Sequence, residues 1–283
     1  MNYLFTYLGN EPNYIKYCLN TILSIDKEAN IYFSSDFHSN YTEVTHLPIS
    51  EITSELTNEV KAINIYKNTN YELNPLWSTS LLRIFYLLDM SKALEINSFI
   101  HFDLDVLIYK PFEDLQKYMV KNTLNITPLN KDELIFGYSY SDGLSNYSKI
   151  THALFDNIEA EALSSNQPLN EMKMLAKVYS QNPELFNLLP SLPNSDQGYL
   201  FDPASYGQYI GGLDGKPRTI FSKPWAGSHH YVGNAILKKE ITVKFKHRKP
   251  LAVQGKKSFE LANLHIHSKN LRKFLPKEYK AFT

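Results

Sequence analysis

The chain has 283 residues, 43% of them hydrophobic and 20% charged, which is the composition of a folding chain and not of a disordered one. Its formal net charge of 0 at pH 7 gives no bulk electrostatic reason to bind nucleic acid. A single cysteine, Cys18, excludes an internal disulfide framework and a cysteine-rich zinc cluster.

In chain order, Tyr3–Leu8 reads as a first strand, and Asn10-Glu11-Pro12 as a turn into a helix whose apolar face is Ile15, Cys18, Leu19, Ile22 and Leu23. The start lacks a basic stretch followed by an apolar one, so the first strand is expected to enter the fold directly and the location to be cytoplasmic. No run of 18 apolar residues occurs, so no transmembrane helix is expected. Ile31–Ser34 is a second strand, and Ala62–Tyr66 is a candidate third. Asn74-Pro75 then caps and starts a helix over Leu76–Ser91 that is apolar on most sides, with Arg83 standing inside it.

Ser98–Phe102 is a compact strand leading into Asp103-Leu104-Asp105, after which Val106–Tyr109 resumes as strand and Pro111 opens a helix. Further strands are predicted over Thr123–Thr127 and Leu134–Tyr138, and helices over Asn146–Leu163 and Glu171–Tyr179. Gly198–Phe201 is short and extended, and a helix from Pro203 is expected to end near Gly211-Gly212. Ile241–Phe245 and Leu264–His267 are late strands, and Ser268 caps a final helix through Phe274. This alternation predicts an α/β fold: a mainly parallel central sheet flanked by helices. With no repeat or low-complexity linker, residues 1–283 are expected to form one domain. Within it, 1–120 would carry the ligand-binding part, 121–262 a second part, and 263–283 a C-terminal element. The Gly/Pro/Ser-rich stretch Gly211–Gly227 reads as a functional loop.

The zero net charge hides a split. From Leu237 to Thr283 there are 13 Lys or Arg against 3 Asp or Glu, leaving this segment +10 and the preceding 236 residues −10. A solvated face, contact with ligand phosphates and peripheral contact with an anionic membrane are all open readings of that segment.

The chemistry concentrates at Asp103-x-Asp105. Alternate residues on a strand face the same side, so both carboxylates converge if the chain stays extended there. Two carboxylates that close repel unless a cation sits between them, and Mg²⁺ and Mn²⁺ prefer such oxygen ligands. Alternation likewise puts His265 and His267 on one side of a late strand, with Lys269 just past its end. Imidazole is an acceptable Mn²⁺ ligand.

The run Phe99-Ile100-His101-Phe102-Asp103-Leu104-Asp105-Val106-Leu107, followed by Lys110-Pro111-Phe112, resembles the DXD segment of A-type (GT-A) nucleotide-sugar glycosyltransferases. Trp77 and Ser80-Leu81-Leu82-Arg83 look like the helix those families place before that strand. Phe201–Gly212 and Asn263–Lys269 are similar to later elements of the group. The resemblance implies a GT-A-like fold, a UDP-sugar donor, a carbohydrate acceptor (oligosaccharide or glycolipid) and Mn²⁺ (or Mg²⁺) as cofactor. It implies that Asp103, Asp105 and a late histidine hold the metal, with His267 preferred and then His265. His230, in His230-Tyr231-Val232-Gly233, is a rival, although Lys223-Pro224-Trp225 stands before it where the family has Lys-Pro-Trp after. Lys269 and Arg83 would meet the donor. Thr6, Tyr7, Asn10 and Asp36 would meet its base and ribose. Asp196 and Asp202 are the candidate bases toward an acceptor hydroxyl. A nucleotidyltransferase, which lacks its expected Gly-rich basic loop here, and a non-catalytic sugar- or protein-binding module are the competing readings.

Overall fold

The computed structural model describes residues 1–38, 40–164, 167–194, 198–211 and 225–282. The first unit runs β1 (Asn2–Tyr7), α1 (Ile15–Ile25), β2 (Asn30–Ser35), β3 (Thr45–Pro48), α2 (Ile49–Ile52), α3 (Glu55–Ile63), α4 (Leu76–Ala93) and β4 (Ser98–His101). β1 pairs in parallel with β2 on one side and with β4 on the other, and β2 pairs in parallel with β3. A second stretch follows with β5 (Val106–Ile108), α5 (Phe112–Leu115), β6 (Leu124–Asn130), β7 (Glu133–Asp142), α6 (Leu144–Ala162), α7 (Glu171–Gln181) and β8 (Phe186–Leu188). β7 adds to β4 antiparallel, β6 to β7 antiparallel and β8 to β6 parallel, which completes a seven-stranded sheet in the order β3-β2-β1-β4-β7-β6-β8. The sheet is mainly parallel, as the alternation of elements requires.

Burial of both faces follows from the side-chain alternation along the strands. Tyr3 and Phe5 of β1 pack with Ile15, Cys18, Leu19 and Ile22 of α1, whereas Leu4 packs with Ile84, Phe85 and Leu88 of α4 on the opposite face. Asn74 caps α4 by accepting the Leu76 N–H at 3.1 Å, which is why that helix starts where it does.

The last third contributes β9 (Tyr199–Leu200), α8 (Tyr206–Tyr209), α9 (Tyr231–Leu237), β10 (Thr242–Lys246), β11 (Lys249–Gln254), β12 (Lys257–Leu261) and β13 (Asn263–His265). β10, β11, β12 and β9 form a smaller sheet, and β13 pairs antiparallel with β5 as a two-stranded ribbon. Three expectations are corrected. Residues 62–66 do not form a strand: α3 covers the first of them, capped by the Ser54 hydroxyl, and ends at Asn64, whose φ of 41° is a left-handed stop. The segment after Ser268 makes only a 3₁₀ turn at Leu271–Phe274. The helix expected from Pro203 shrinks to α8, because Ala204 has a φ of 60°, which a right-handed helix cannot include, so the helix starts only at Tyr206. The Gly212–Pro224 part of the Gly/Pro/Ser-rich stretch lies outside the described residues.

α8 lies hard against β13. A Cβ added at Gly207 would sit 1.9 Å from the carbonyl oxygen of His265. Gly207→Ala is therefore expected to overpack this contact and lower unfolding stability by about 1–3 kcal/mol. Urea denaturation of the two proteins measures it, and equal midpoints would show that α8 can retreat from β13.

Candidate functional site

β1, β2 and β4 are parallel, so their carboxyl ends open on one edge of the sheet. Chain order reverses between β1 and β4, since β2 lies to one side of β1 and β4 to the other. In open α/β sheets the crevice for ligands forms at such a point. Asn10 follows β1 there, Asp36 follows β2, and Asp103 and Asp105 follow β4.

The two carboxylates meet by a turn and not by an extended pleat. The Val106 N–H donates to the Asp103 carbonyl at 2.9 Å, reversing the chain between them. The turn is pinned from both sides, by the Asp103 N–H to the Phe136 carbonyl (3.2 Å) and by the Ile266 N–H to the Asp105 carbonyl (2.9 Å). The β5–β13 register sets His265 opposite Val106. Its buried imidazole then lies with Nε2 3.0 Å from Asp105 Oδ2 and Nδ1 3.8 Å from Asp103 Oδ2. One ligand atom from each of Asp103, Asp105 and His265 lies within 4.8 Å of the others, a group that could hold a metal ion. The donor set of two carboxylate oxygens and one imidazole suits a hard or borderline divalent ion, and the buried Nδ1 of His265 has no hydrogen-bond partner among the described residues.

Two further cations bind the carboxylates. Lys269, held at a φ of 58° just past β13, forms an ion pair with Asp105. Burial pushes the Asp105 carboxyl up, but His265 and Lys269 more than offset it and hold the group below the usual carboxylate range. Burial conversely lowers His265 and Lys269, and Asp105 outweighs it, so both are held above their usual values. Arg83 pairs with Asp103 through Nη1 and with Glu171 Oε1 at 2.8 Å through Nη2. The arginine inside the apolar α4 run thus faces this site.

Glu171 was not anticipated. At the first position of α7 it reads as an ordinary helix-start acid, and only the structure shows it buried against Arg83. Tyr14 was missed as well. Its ring lies 5.6 Å from Lys269 Nζ, and burial with the neighbouring Asp105 charge pushes its phenol up. Of the expected base and ribose contacts, Thr6 and Tyr7 are half-buried at the end of β1. Asp36 accepts the Gly9 N–H at 2.9 Å, which joins the loops after β1 and β2, and Asn10 is exposed beside it.

The late histidines are placed differently from the order of preference. His265, and not His267, joins the carboxylates. The His267 ring stacks on that of His265 (4.4 Å between centroids, 11° between planes) and its Nε2 meets the Ala204 carbonyl at 3.1 Å. Both do share one side, but β13 brings only the first to Asp105. His230 lies farther off, with Trp225 packed between it and His267.

Asp202 does not sit as a base open to a substrate. It is fully buried, and its carboxylate accepts the backbone N–H groups of Ser205 (2.7 Å), Tyr206 (2.8 Å), Gly207 (3.2 Å) and His265 (3.0 Å). Its own N–H donates to Asn263 Oδ1. It clamps α8 to β13 and so seats His265. Asp196 lies outside the described residues.

No protein-family model matches the chain, and no curated protein matches it. Among solved structures the chain is similar to mouse xyloside xylosyltransferase 1 at 15% identity and a TM-score of 0.44, over 67% of this chain and 86% of that one. It is similar to the PaToxG glycosyltransferase at 13% identity and a TM-score of 0.42, over 64% and 69% of the two chains. It is similar to an active-site mutant of LgtC at 11% identity and a TM-score of 0.41, over 67% and 73%.

The Asp103–Arg83–Glu171 chain has a pH signature. Burial pushes Glu171 from 4.5 up to about 7, against the pull of Arg83. A carboxyl with a raised folded pKa holds its proton more tightly when folded, so its contribution is fully present below the unfolded value and lost as pH rises toward the folded one. The metal-free chain is expected to lose stability between pH 4.5 and 7, and Glu171→Gln to flatten that slope. Urea midpoints across the window, in chelator, check it; an unchanged slope in the variant would assign the loss to another group.

Proposed function

We propose that the chain is a metal-dependent glycosyltransferase moving a sugar from a nucleotide-diphosphate donor, a UDP-sugar on the sequence resemblance, to a hydroxyl of a glycan or glycolipid. The observation that carries this reading is the convergence of Asp103, Asp105 and His265 with the Lys269 ammonium, at the crevice where chain order reverses between β1 and β4. The first two properties suit a cation and a diphosphate, and the third is where α/β sheets place a nucleotide.

Asp103, Asp105 and His265 would hold the ion, and Mn²⁺ or Mg²⁺, when bound, supplies Lewis-acid stabilisation of the departing diphosphate. Arg83 orients Asp103 and is itself oriented by Glu171. Lys269 is positioned to exchange Asp105 for a phosphate oxygen, keeping its charge compensated in both arrangements. Tyr7, Tyr14 and the loop joined by the Gly9–Asp36 contact form the wall where a base and ribose would lie. Asp196 keeps the role of candidate base or polarising group toward the acceptor.

A panel of UDP-, GDP- and CMP-sugars, with and without Mn²⁺, tests the reading by calorimetric binding and slow donor hydrolysis. Metal-dependent binding of the UDP members, abolished in Asp105→Asn, is expected. Binding that is indifferent to both metal and Asp105 would overturn the reading.

Lys269 makes a second prediction. A divalent ion must compete with its ammonium for Asp105, while a diphosphate gains from it. Lys269→Met is expected to bind Mn²⁺ alone more tightly than the parent and to bind UDP with Mn²⁺ at least about tenfold more weakly, a loss of about 1.4 kcal/mol. Mn²⁺ titration by electron paramagnetic resonance reads the first and calorimetry the second. Weaker Mn²⁺ binding in the variant would show that Lys269 supports the ion and does not compete with it.

A further inference from the structure

The +10 segment from Leu237 to Thr283 acquires a surface in the fold. β10, β11, β12 and β9 form a four-stranded sheet, and register separates its two faces. Val243, Phe245, Ala252, Phe259 and Leu261 pack into the core. The partners Lys244, Leu251, Glu260 and Tyr199 therefore form a row across all four strands on the other face. Lys246 and Lys249 lie on one side of that row, and Thr242, Val253 and Ser258 on the other. Lys110, two residues past β5, reaches the same face. Its ammonium pairs with Glu260 at 2.6 Å and lies 4.7 Å from the Tyr199 ring centre. Lys117 comes to 5.8 Å from the same ring.

Two features set this face apart from an ordinary solvated one. Solvated faces intersperse both signs of charge. Here Lys110, Lys117, Lys244, Lys246 and Lys249 surround one acid, Glu260, which Lys110 and Lys249 already share. Of the 13 cations in the segment, Lys249 and Lys269 are those that pair with a carboxylate among the described residues, so Lys244 and Lys246 stay uncompensated. Lysines on β10 also guard a sheet edge, but Lys249 and Lys117 do not lie on that edge. The second feature is apolar. Leu251 and Val253 stand half-exposed among the lysines, beside the half-exposed Tyr199.

A basic plane with aliphatic and aromatic groups among its lysines is complementary to an anionic bilayer. Each ammonium near such a surface strengthens binding about fivefold. The lysine stems, Leu251, Val253 and the Tyr199 ring suit the headgroup boundary, where apolar bodies with polar tips settle. A nucleic acid would use the charge but gain nothing from Leu251 and Val253, and guanidinium forks are its usual partners. The face itself carries no arginine among the described residues, and Arg248, in the β10–β11 turn, donates through Nε to the Leu275 carbonyl at 3.1 Å. The first 236 residues carry −10, which favours a flat, one-sided contact that keeps them beyond a Debye length of about 10 Å.

We infer that the outer face of the small sheet docks on an anionic lipid bilayer. One residue, Ala262, separates β12 from β13 and its His265, so the docked face is joined directly to the candidate site. The contact itself is independent of the transferase reading; its use, bringing the site to a lipid-linked acceptor, rests on that reading.

The test sediments the whole chain with phosphatidylcholine vesicles, with and without phosphatidylglycerol, at low and high salt. Two double variants are compared: Lys244→Gln with Lys246→Gln on the face, and Lys277→Gln with Lys280→Gln away from it. The parent is expected to bind the phosphatidylglycerol vesicles alone, and more weakly at high salt. The face variant loses at least about tenfold, as two lysines at about fivefold each require, and the Lys277/Lys280 variant loses less than about twofold, with thermal midpoints and UDP–Mn²⁺ affinity unchanged in both. No vesicle binding, binding indifferent to phosphatidylglycerol, an equal loss in the two variants, or capture of duplex DNA in place of vesicles overturns the inference. A chain that binds UDP–Mn²⁺ but no vesicles loses this surface and keeps the transferase reading. One that binds vesicles through Lys244 and Lys246 but no nucleotide keeps the surface and loses that reading.

Discussion

Two carboxylates held together by a tight turn are the constraint around which the rest of this molecule is arranged. Like charges a few ångströms apart repel by several kcal/mol even at an effective dielectric constant of about 20. The chain answers with three cationic or protonatable groups from remote positions. Arg83 comes from the helix before the strand and takes Asp103, while His265 and Lys269 come from the C-terminal segment and take Asp105. The division leaves each carboxylate with its own partner and an imidazole between them. That is an electrostatically balanced arrangement, yet one whose oxygens can be exchanged to an entering ion.

Much of this was legible because it is local. Asp103 and Asp105 stand out since an apolar strand ends in them, and Arg83 stands out between Leu82 and Ile84 in a mostly apolar helix. Lys269 was legible as the first cation past a late strand. What was not legible is non-local. Alternation puts His265 and His267 on one side of the chain, and nothing short of the pairing of His265 with Val106 chooses between them. Asp202 followed by Pro203 has the look of a reactive acid, but the four N–H groups that occupy it come from the next turn and from a strand 63 residues on. Glu171 carries no sequence mark, because an acid at a helix start is ordinary. The β10–β12 meander was half seen. β10 alternates cleanly, with Lys244 and Lys246 outward and Val243 and Phe245 inward, whereas β11 begins Lys249-Pro250 and turns back at Gly255, where φ is +58°.

The +10 C-terminal segment also resolves into parts. Six of its 13 cations (Lys244, Lys246, Arg248, Lys249, Lys256 and Lys257) lie on the strands and turns of the β10–β12 meander, and Lys249 joins Lys110 around Glu260. Among the described residues, Lys269 is the cation of that segment paired to the candidate site. The charge split of the sequence is therefore not the signal for the site. A single lysine placed by a left-handed turn is, and the surrounding basic run obscures it.

The dependence on remote partners has a consequence for how the site is built. Asp105 and His265 are 160 residues apart, so their contact carries the loop-closure cost of a long-range pairing and forms only with the β5–β13 ribbon. Until then Asp105 lacks its partners, and a buried charge without a partner is costly enough to resist burial. The Asp202 clamp addresses that step: by gathering the N–H groups of α8 and of His265 onto one carboxylate, it makes docking of α8 and seating of the histidine the same event. An intermediate with the carboxylate corner closed but the histidine absent is disfavoured from both directions. The geometry of the candidate site thus arises together with the C-terminal ribbon, and not as a property of the Asp103-Leu104-Asp105 turn alone.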